Sequence, residues 1–444
     1  MSGDTIYALS SGAGAAGVAV VRLSGPAADA VLADLGASEL PPPRLASLRT
    51  LVSVDGDTID QALVLRFPGP ASFTGDDVVE LHVHGGRAVL DSLIEAIGAS
   101  GHARHAEPGE FTRRAFENGK LDLTAAEGLA DLVAAQTDAQ RRLALRQYDG
   151  SLANLYEGWR ARLVDLMGHA EAEIDFSDEE LPDGLKSRTD ARIGELRGEI
   201  AAHLDDATRG EQIRDGFPVA IVGAPNVGKS SIINVLTDRD VAIVSDIAGT
   251  TRDVIEVRLD LGGYAVTISD TAGIRAAGDR IEAEGVRRAE ARAAEAALTL
   301  VVLDATSEGI PDRIGPLIAE NAVVVRNKID LLEGAPARDP LPDGVPVVDI
   351  SAVTGEGFDR LMDLLSDEIR SRLDGREGAL PTRRRHRDAL DEAVNALSSA
   401  GDAAYPELAA EDVRVALRAL GRITGRVDID EVLDTVFRDF CIGK

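Results

Sequence analysis

The stretch Gly223-Ala224-Pro225-Asn226-Val227-Gly228-Lys229-Ser230-Ser231 constrains this chain more than any other. It is a complete G-x-x-x-x-G-K-[ST] string. The apolar run Pro218-Val219-Ala220-Ile221-Val222 precedes it, and Ile232-Ile233-Asn234-Val235-Leu236 follows. Strand, glycine-rich loop and helix in that order make a phosphate cradle. The glycines let backbone N–H groups converge on phosphate oxygens, and the helix N-terminus adds partial positive charge. Lys229 is expected to reach the β- and γ-phosphates, and Ser230 to hold Mg²⁺.

Three further strings follow, each after a strand-like run. Asp270-Thr271-Ala272-Gly273 comes after Ala265–Ser269. Asp270 is expected behind the Mg²⁺ shell, with the Gly273 N–H on the γ-phosphate. Asn327-Lys328-Ile329-Asp330 comes after Ala322–Val325. The Asp330 carboxylate can accept from the guanine N1–H and 2-amino group, donors that adenine does not offer in that arrangement. GTP is therefore expected over ATP. Ser351-Ala352-Val353 follows Val347–Ile350 and is expected to give a backbone contact to the base oxygen. Any one string is weak. Four in order, each at a strand's end, fit ligand binding at the carboxyl edge of a parallel sheet.

The hydrolytic parts are less usual. Many small GTPases carry Gln directly after D-T-A-G to orient the attacking water. Ile274 stands there, so another residue must do so. Among Arg252, Arg275, Arg280, Glu282 and Glu284, Glu282 is the best candidate, because a carboxylate polarises water directly or through a second water. The competing reading is a solvated glutamate in a helix's first turn. Ser245-Asp246-Ile247-Ala248-Gly249-Thr250-Thr251 is expected to be a switch loop, with Thr251 as second Mg²⁺ ligand. Asn226 offers a side-chain oxygen near the β- and γ-phosphates. A monovalent cation held there would supply charge in place of an arginine finger. Alternatively Asn226 caps its own backbone.

Length and composition frame these sites. A chain of 444 residues holds two to four domains, and 44% hydrophobic with 28% charged residues fits a globular protein. Cys441 is the only cysteine, so no internal disulfide forms and a reducing, cytoplasmic location is expected. No apolar run is long enough to insert in a membrane. A net charge of -29 argues against a generally sticky nucleic-acid binder. The one dense cationic cluster, Arg383-Arg384-Arg385-His386-Arg387, reads equally as a phosphate contact or a solvated helix start.

Residues 1–118 alternate short strands (Thr5–Leu9, Val18–Leu23, Ala62–Phe67, Val78–Val83) with turns, and a helix is expected over Arg87–Ile97. Residues 119–214 have helical periodicity, with Leu129, Leu132, Val133, Leu143, Leu145, Leu152, Leu155, Trp159, Leu163 and Leu166 expected in the core. Residues 215–374 form the nucleotide module, and residues 375–444 turn helical again. The expected class is multidomain α+β and α/β, a helical domain interrupted by an inserted P-loop module with a mainly parallel sheet. In the first segment, Arg22 could pair a carboxylate and Glu80 could bind the donor edge of a pterin-like ring. For each, surface ion pairing is the simpler reading. His82 and His84 share a strand face but are too few for a metal site.

Assembled, these residues resemble the bacterial tRNA-modification GTPase family MnmE, also called TrmE. The likeness covers nearly the whole length. Besides the nucleotide strings it includes Pro70-Ala71-Ser72-Phe73-Thr74-Gly75, Pro108-Gly109-Glu110-Phe111, Asn118-Gly119-Lys120-Leu121-Asp122-Leu123 and Ile174-Asp175-Phe176-Ser177-Asp178-Glu179-Glu180. A proline is commoner in the family where Ser177 stands. The ending Phe440-Cys441-Ile442-Gly443-Lys444 is the most specific string.

The resemblance implies an N-terminal folate-binding domain that dimerises, a helical domain and an inserted G domain. It implies modification of C5 of the wobble uridine, position 34, of certain tRNAs to an aminomethyl or carboxymethylaminomethyl form. The work is shared with an FAD-dependent partner, MnmG (GidA), in a heterotetramer. A 5-formyl- or methylene-tetrahydrofolate is linked to the one-carbon unit. Arg22, Glu80, Lys120 and Lys444 match the family's folate contacts. Asn226, Ser245, Ile247 and Thr250 match its potassium site. Ser230 and Thr251 match Mg²⁺, and Glu282 its water-orienting base. Cys441 is either a nucleophile near the folate or packed core. A rival reading is an RNA-docking ribosome-assembly GTPase, but the helical ending does not look like a compact basic RNA-binding domain.

Overall fold

The computed structural model describes residues 3–12, 14–175, 185–239, 241–243, 256–270, 291, 293–307, 309–334, 341–342, 344–375, 378–427, 433, 436–438, 440 and 442–443, and only the backbone at 173, 175, 185, 186, 256 and 270. Ser245–Thr251, Thr271–Gly273, Glu282, Cys441 and Lys444 lie outside the described residues, as do Arg252, Ile274, Arg275, Arg280 and Glu284. The chain divides into two compact units. One holds Met1–Ala130, Gln147–Ile193 and Asn395–Lys444; the other holds Asp131–Arg146 and Gly194–Val394.

In the first unit the elements run β1 (Thr5–Leu9), β2 (Ala16–Ser24), α1 (Ala28–Asp34), β3 (Ser47–Val52), β4 (Thr58–Phe67), β5 (Val78–Gly85), α2 (Arg87–Ala99), β6 (Ala103–His105), α3 (Glu110–Glu117) and the start of α4 (Leu123–Ala134). The sheet order is β3-β4-β5-β2-β1-β6, antiparallel except for the β1–β6 pair. Alternation along the strands sorts the side chains into two faces. Val21, Leu23, Val64, Val79, Leu81 and Val83 pack against Val31 and Leu32 of α1 and Leu93 and Ile97 of α2. Ile6 and Ala8 turn the other way, onto Ala106 and Phe111. Arg22 and Glu80 lie opposite each other on β2 and β5.

Helix α5 (Asp138–Tyr148) follows, then α6 (Ser151–Asp175) and α7 (Leu185–Asp205). The core of the first unit takes Leu152, Tyr156, Trp159, Leu163 and Leu166 of α6. The end of the chain closes on the sheet. Pro108 and Ile442 form an isolated antiparallel bridge, and Ser10 Oγ donates to the Gly443 carbonyl at 2.9 Å. Gly443 sits at φ 96°, and an added Cβ would strike the Leu9 carbonyl, so only glycine fits there.

The second unit contains α8 (Ala207–Asp215), β7 (Phe217–Gly223), α9 (Lys229–Thr237), β8 (Glu256–Leu261), β9 (Tyr264–Asp270), β10 (Leu298–Asp304), β11 (Ala322–Asn327), β12 (Val347–Asp349) and α10 (Phe358–Leu373). Helices α11 (Arg384–Asp402) and α12 (Pro406–Thr424) complete the described elements, and α12 belongs to the first unit. The sheet order is β12-β11-β10-β7-β9-β8; only β8 runs antiparallel. Strands buried on both faces need near-continuous apolar runs. β7 and β10 supply them: Val219, Ile221, Leu300 and Val302 face one cluster with Leu361 and Leu365 of α10, and Ala220, Val222, Val301 and Leu303 face another. Each buried valine, leucine or isoleucine among them contributes about 1.5–3 kcal/mol.

Five of the ten residues expected in the core are not buried: Leu129, Leu132 and Leu155 are half-buried, and Val133 and Leu145 are exposed. Val133 is 44% exposed and Leu145 38% exposed, because α4 and α5 bury Ala126 and Leu143 instead. The Arg383–Arg387 cluster is also not a free cationic patch. Arg383 Nη2 pairs with Asp131 at 2.9 Å, Arg387 pairs with Glu211, and His386 is fully buried.

Titration will be felt in this unit. His203, in the last turn of α7, is pushed down to about 4, chiefly by burial; Asp206 pulls the other way and His386 adds to the fall. The folded state therefore keeps His203 neutral, while the unfolded chain binds a proton below pH 6.5. Stability is complete above that value and is lost as pH falls toward 4. Between pH 7.5 and 5 the loss is about 2 kcal/mol. Thermal unfolding of wild type and His203→Gln checks this; an equal pH slope in both would remove the assignment.

Candidate functional site

The carboxyl ends of β7, β9, β10, β11 and β12 share one edge of the second sheet. Register shows it: Gly223 lies beside Val302, Ile221 beside Asp270, Asp304 beside Asn327, and Arg326 beside Asp349. The phosphate loop runs from Gly223 at the end of β7 to Lys229 at the start of α9. Gly228 stands at φ 100°, and a Cβ there would run into the Asn327 amide. Asn226 is exposed and adopts φ 64°, an uncommon region for a non-glycine residue. Ser230 and Ser231 are exposed in the first turn of α9, whereas Val227 is buried. Lys229 is only 8% exposed, and its Nζ donates to the carbonyls of Gly223 and Ala224, both at 2.9 Å. The cation thus lies beneath the loop it is expected to serve.

The side expected to face the base is built on one buried amide. Asn327, 2% exposed, donates from Nδ2 to the Val227 carbonyl at 2.8 Å and accepts at Oδ1 from Ala352 N–H at 3.0 Å. One side chain therefore ties the phosphate loop to the Ser351-Ala352-Val353 string, and it takes the Ala352 N–H, one of the backbone groups of the string expected to contact the base oxygen. Lys328 is left-handed at φ 72°, and its Nζ pairs with Asp304 Oδ2 at 2.6 Å. Burial raises the Asp304 carboxyl, but the hydrogen bonds from Lys328 and Thr306 outweigh it and hold the group below the usual carboxylate value. The fully buried Ser351 hydroxyl donates to Asp330 Oδ1 at 2.6 Å and accepts from Val353 and Thr354 N–H. Asp330 is exposed and held in one orientation, suited to a base bearing two adjacent N–H donors. Val353, two residues after Ser351, is 84% exposed.

The N-terminal candidates lie in the other unit. Arg22 donates from Nε and Nη2 to Glu80 Oε1 at 3.0 and 2.9 Å, with side chains 22% and 19% exposed. Its guanidinium sits 5.6 Å from the Phe73 ring centre and 5.8 Å from that of Phe111. His82 Nε2 approaches Glu80 Oε2 to 3.5 Å without a hydrogen bond. Lys120 Nζ donates to the Pro70 carbonyl at 2.7 Å, on the loop that carries Phe73. His84 is paired to Asp60, and no cluster of three or more His, Cys, Asp or Glu side chains able to hold a metal ion occurs among the described residues. Among those residues no helix is long and apolar enough to cross a membrane.

Two family models match: GTP-binding protein TrmE N-terminus over residues 5–120, and MnmE helical domain over residues 123–441. The tRNA modification GTPase MnmE of Rhodospirillum rubrum is 54% identical, covering 100% of both chains. That of Parvibaculum lavamentivorans is also 54% identical, over 99% of this chain and all of its own. The solved structure of Era from Aquifex aeolicus is 28% identical over 40% of this chain and 66% of its own, with a TM-score of 0.27 that carries no argument. With matches end to end at this identity, the chain is a GTPase and belongs to the tRNA modification GTPase family MnmE (TrmE).

Proposed function

We propose that this GTPase is potassium-stimulated and takes part, with an FAD-dependent MnmG-type partner, in 5-(carboxymethyl)aminomethyl modification of uridine 34 in certain tRNAs. The working form is a homodimer that joins the partner in a heterotetramer in the cytoplasm. Residues 1–118 act as the folate-binding and dimerising domain, 119–214 and 375–444 as the two parts of the helical domain, and 215–374 as the inserted G domain. The rival RNA-docking switch is not favoured, since the curated relatives are named for tRNA modification.

The observation that carries the potassium reading is Asn226, exposed and held at positive φ on the phosphate loop. Its side-chain oxygen suits a hard monovalent cation, with Ser245, Ile247 and Thr250 as the further ligands. A bound potassium ion supplies positive charge where charge develops between the β- and γ-phosphates. Ser230, exposed on the first turn of α9, and Thr251 would hold Mg²⁺, which neutralises the phosphates. Lys229 contributes its own charge, and Glu282 orients the water. A tetrahydrofolate derivative fits the Arg22–Glu80 pair, which offers both a cation and an acceptor edge between two aromatic rings. Lys120 and Lys444 would meet its anionic end, and Cys441 would act as a nucleophile beside it.

Turnover of GTP by the full chain in KCl should exceed that in NaCl at matched ionic strength by about tenfold or more, because one well-placed charge lowers a barrier by some 1.4 kcal/mol or more. Equal rates would remove potassium from the mechanism.

A further inference from the structure

The turn between β8 and β9 is Gly262-Gly263, with φ 62° and 89°. Two positive-φ residues make the tight hairpin turn that fixes register. The ladder runs unbroken from Leu261↔Tyr264 at the turn to Glu256↔Ser269 at the other end. That other end borders both segments expected to face the nucleotide. β8 starts a few residues after Thr251, and β9 ends at Asp270, where the D-T-A-G string begins. The chain entering the first of these segments also rides on β8: Ile243 N–H donates to the Arg258 carbonyl, and Asp260 N–H to that of Val241, both at 2.8 Å. β8 is the edge strand of its sheet. At about 3.3 Å per residue the ribbon is on the order of 20 Å long.

Its far tip is held. Ala139 N–H, in the first turn of α5, donates to the Gly263 carbonyl at 3.0 Å. The Tyr264 hydroxyl donates to Asp374 Oδ1. Ala139 and Leu143 are buried in the same cluster as Leu259, Leu261 and Tyr264. The segment that receives the tip is itself anchored. Asp131 Oδ1 accepts from Arg214 Nε at 3.0 Å and from Arg383 Nη2 at 2.9 Å, and Gln140 Nε2 donates to the Arg214 carbonyl at 2.8 Å. Arg214 ends α8, which leads into β7, and Arg383 precedes α11. Residues 131–146 therefore touch the hairpin tip and both chain connections of the inserted module.

We propose that the β8–β9 ribbon and the first turn of α5 form a lever, with Ala139 and Tyr264 as positioning residues that pass the nucleotide state to the helical segment governing the tRNA step. A stiff ribbon displaced at its nucleotide end must move its tip, and the Ala139–Gly263 bond makes α5 follow. The lever rests on the reading that GTP turnover drives tRNA modification.

Ala139→Pro removes the donor to Gly263 without breaking an intrahelical hydrogen bond, since a first-turn N–H has no intrahelical acceptor. Purified full-length Ala139→Pro should turn over GTP within about threefold of wild type, while the modified fraction of cellular tRNA, read by nucleoside mass analysis, falls about fivefold or more. Tyr264→Phe should shift the same ratio in the same direction by about twofold, and it decides the matter if the proline variant does not fold. Unchanged modification at unchanged turnover would overturn the lever, as would a proportional fall in both. A turnover-dead Lys229→Ala protein that still modified tRNA would instead overturn the reading beneath it.

Discussion

Replacing Lys229 by alanine should lower GTP turnover by about a thousandfold, the effect of removing one preorganised charge from a phosphoryl-transfer site. The structure gives the reason. Lys229 Nζ is nearly out of solvent and fixed by the Gly223 and Ala224 carbonyls, so its charge is in place before the nucleotide arrives. A flexible surface lysine would spend binding energy on being ordered; this one does not. The fold should persist, because the loss leaves two loop carbonyls without one donor, a cost of about 1–3 kcal/mol. Steady-state turnover together with thermal unfolding checks both parts. A fall of less than tenfold would show that the loop works without this cation.

Asp330→Asn should reverse the choice of base. On the proposed reading the carboxylate would accept from two guanine donors at once, and a site built for such a pair rejects the mismatched ligand by about 10⁴-fold. Ser351 Oγ holds Oδ1 at 2.6 Å, and an asparagine oxygen can take the same bond. The variant's amide nitrogen would then replace Oδ2 and present a donor to the base. Xanthosine triphosphate carries a carbonyl where guanine has its amino group, so it becomes the matched ligand. Turnover should fall by about a thousandfold with GTP and recover with the xanthine nucleotide. Retained GTP preference would place base recognition elsewhere than Asp330.

The second sheet was legible where an apolar run leads into a nucleotide string: β7, β9, β11 and β12 stand at those runs, whereas β8 and β10, with no such string behind them, went unread. The first sheet was legible in part. β3 alternates weakly, with Leu48 exposed at 62%, and β6 is only three residues long, so neither leaves a strong period. Val133 and Leu145 followed the helical stripe and still ended outside, because periodicity marks a face and not what covers it. The ties within the site had no local signature at all. Asn327 reaches Val227 across 100 residues of sequence, and Arg383 reaches Asp131 across 252. A cluster such as Arg383–Arg387 looks the same in sequence whether its charges meet a ligand or the chain's own carboxylates.

The seam between Ser10 and Gly443 sets a schedule for synthesis. The two residues are 433 apart in sequence, whereas all six strands of the first sheet are complete by His105. A nascent chain emerges amino end first, so that sheet can form while most of the protein is still being translated. The seam must wait for Gly443. A chain that had not yet reached Gly443 would carry the sheet with its flank beside Leu9 uncovered, so closure of that flank reports that the distant segment has been made.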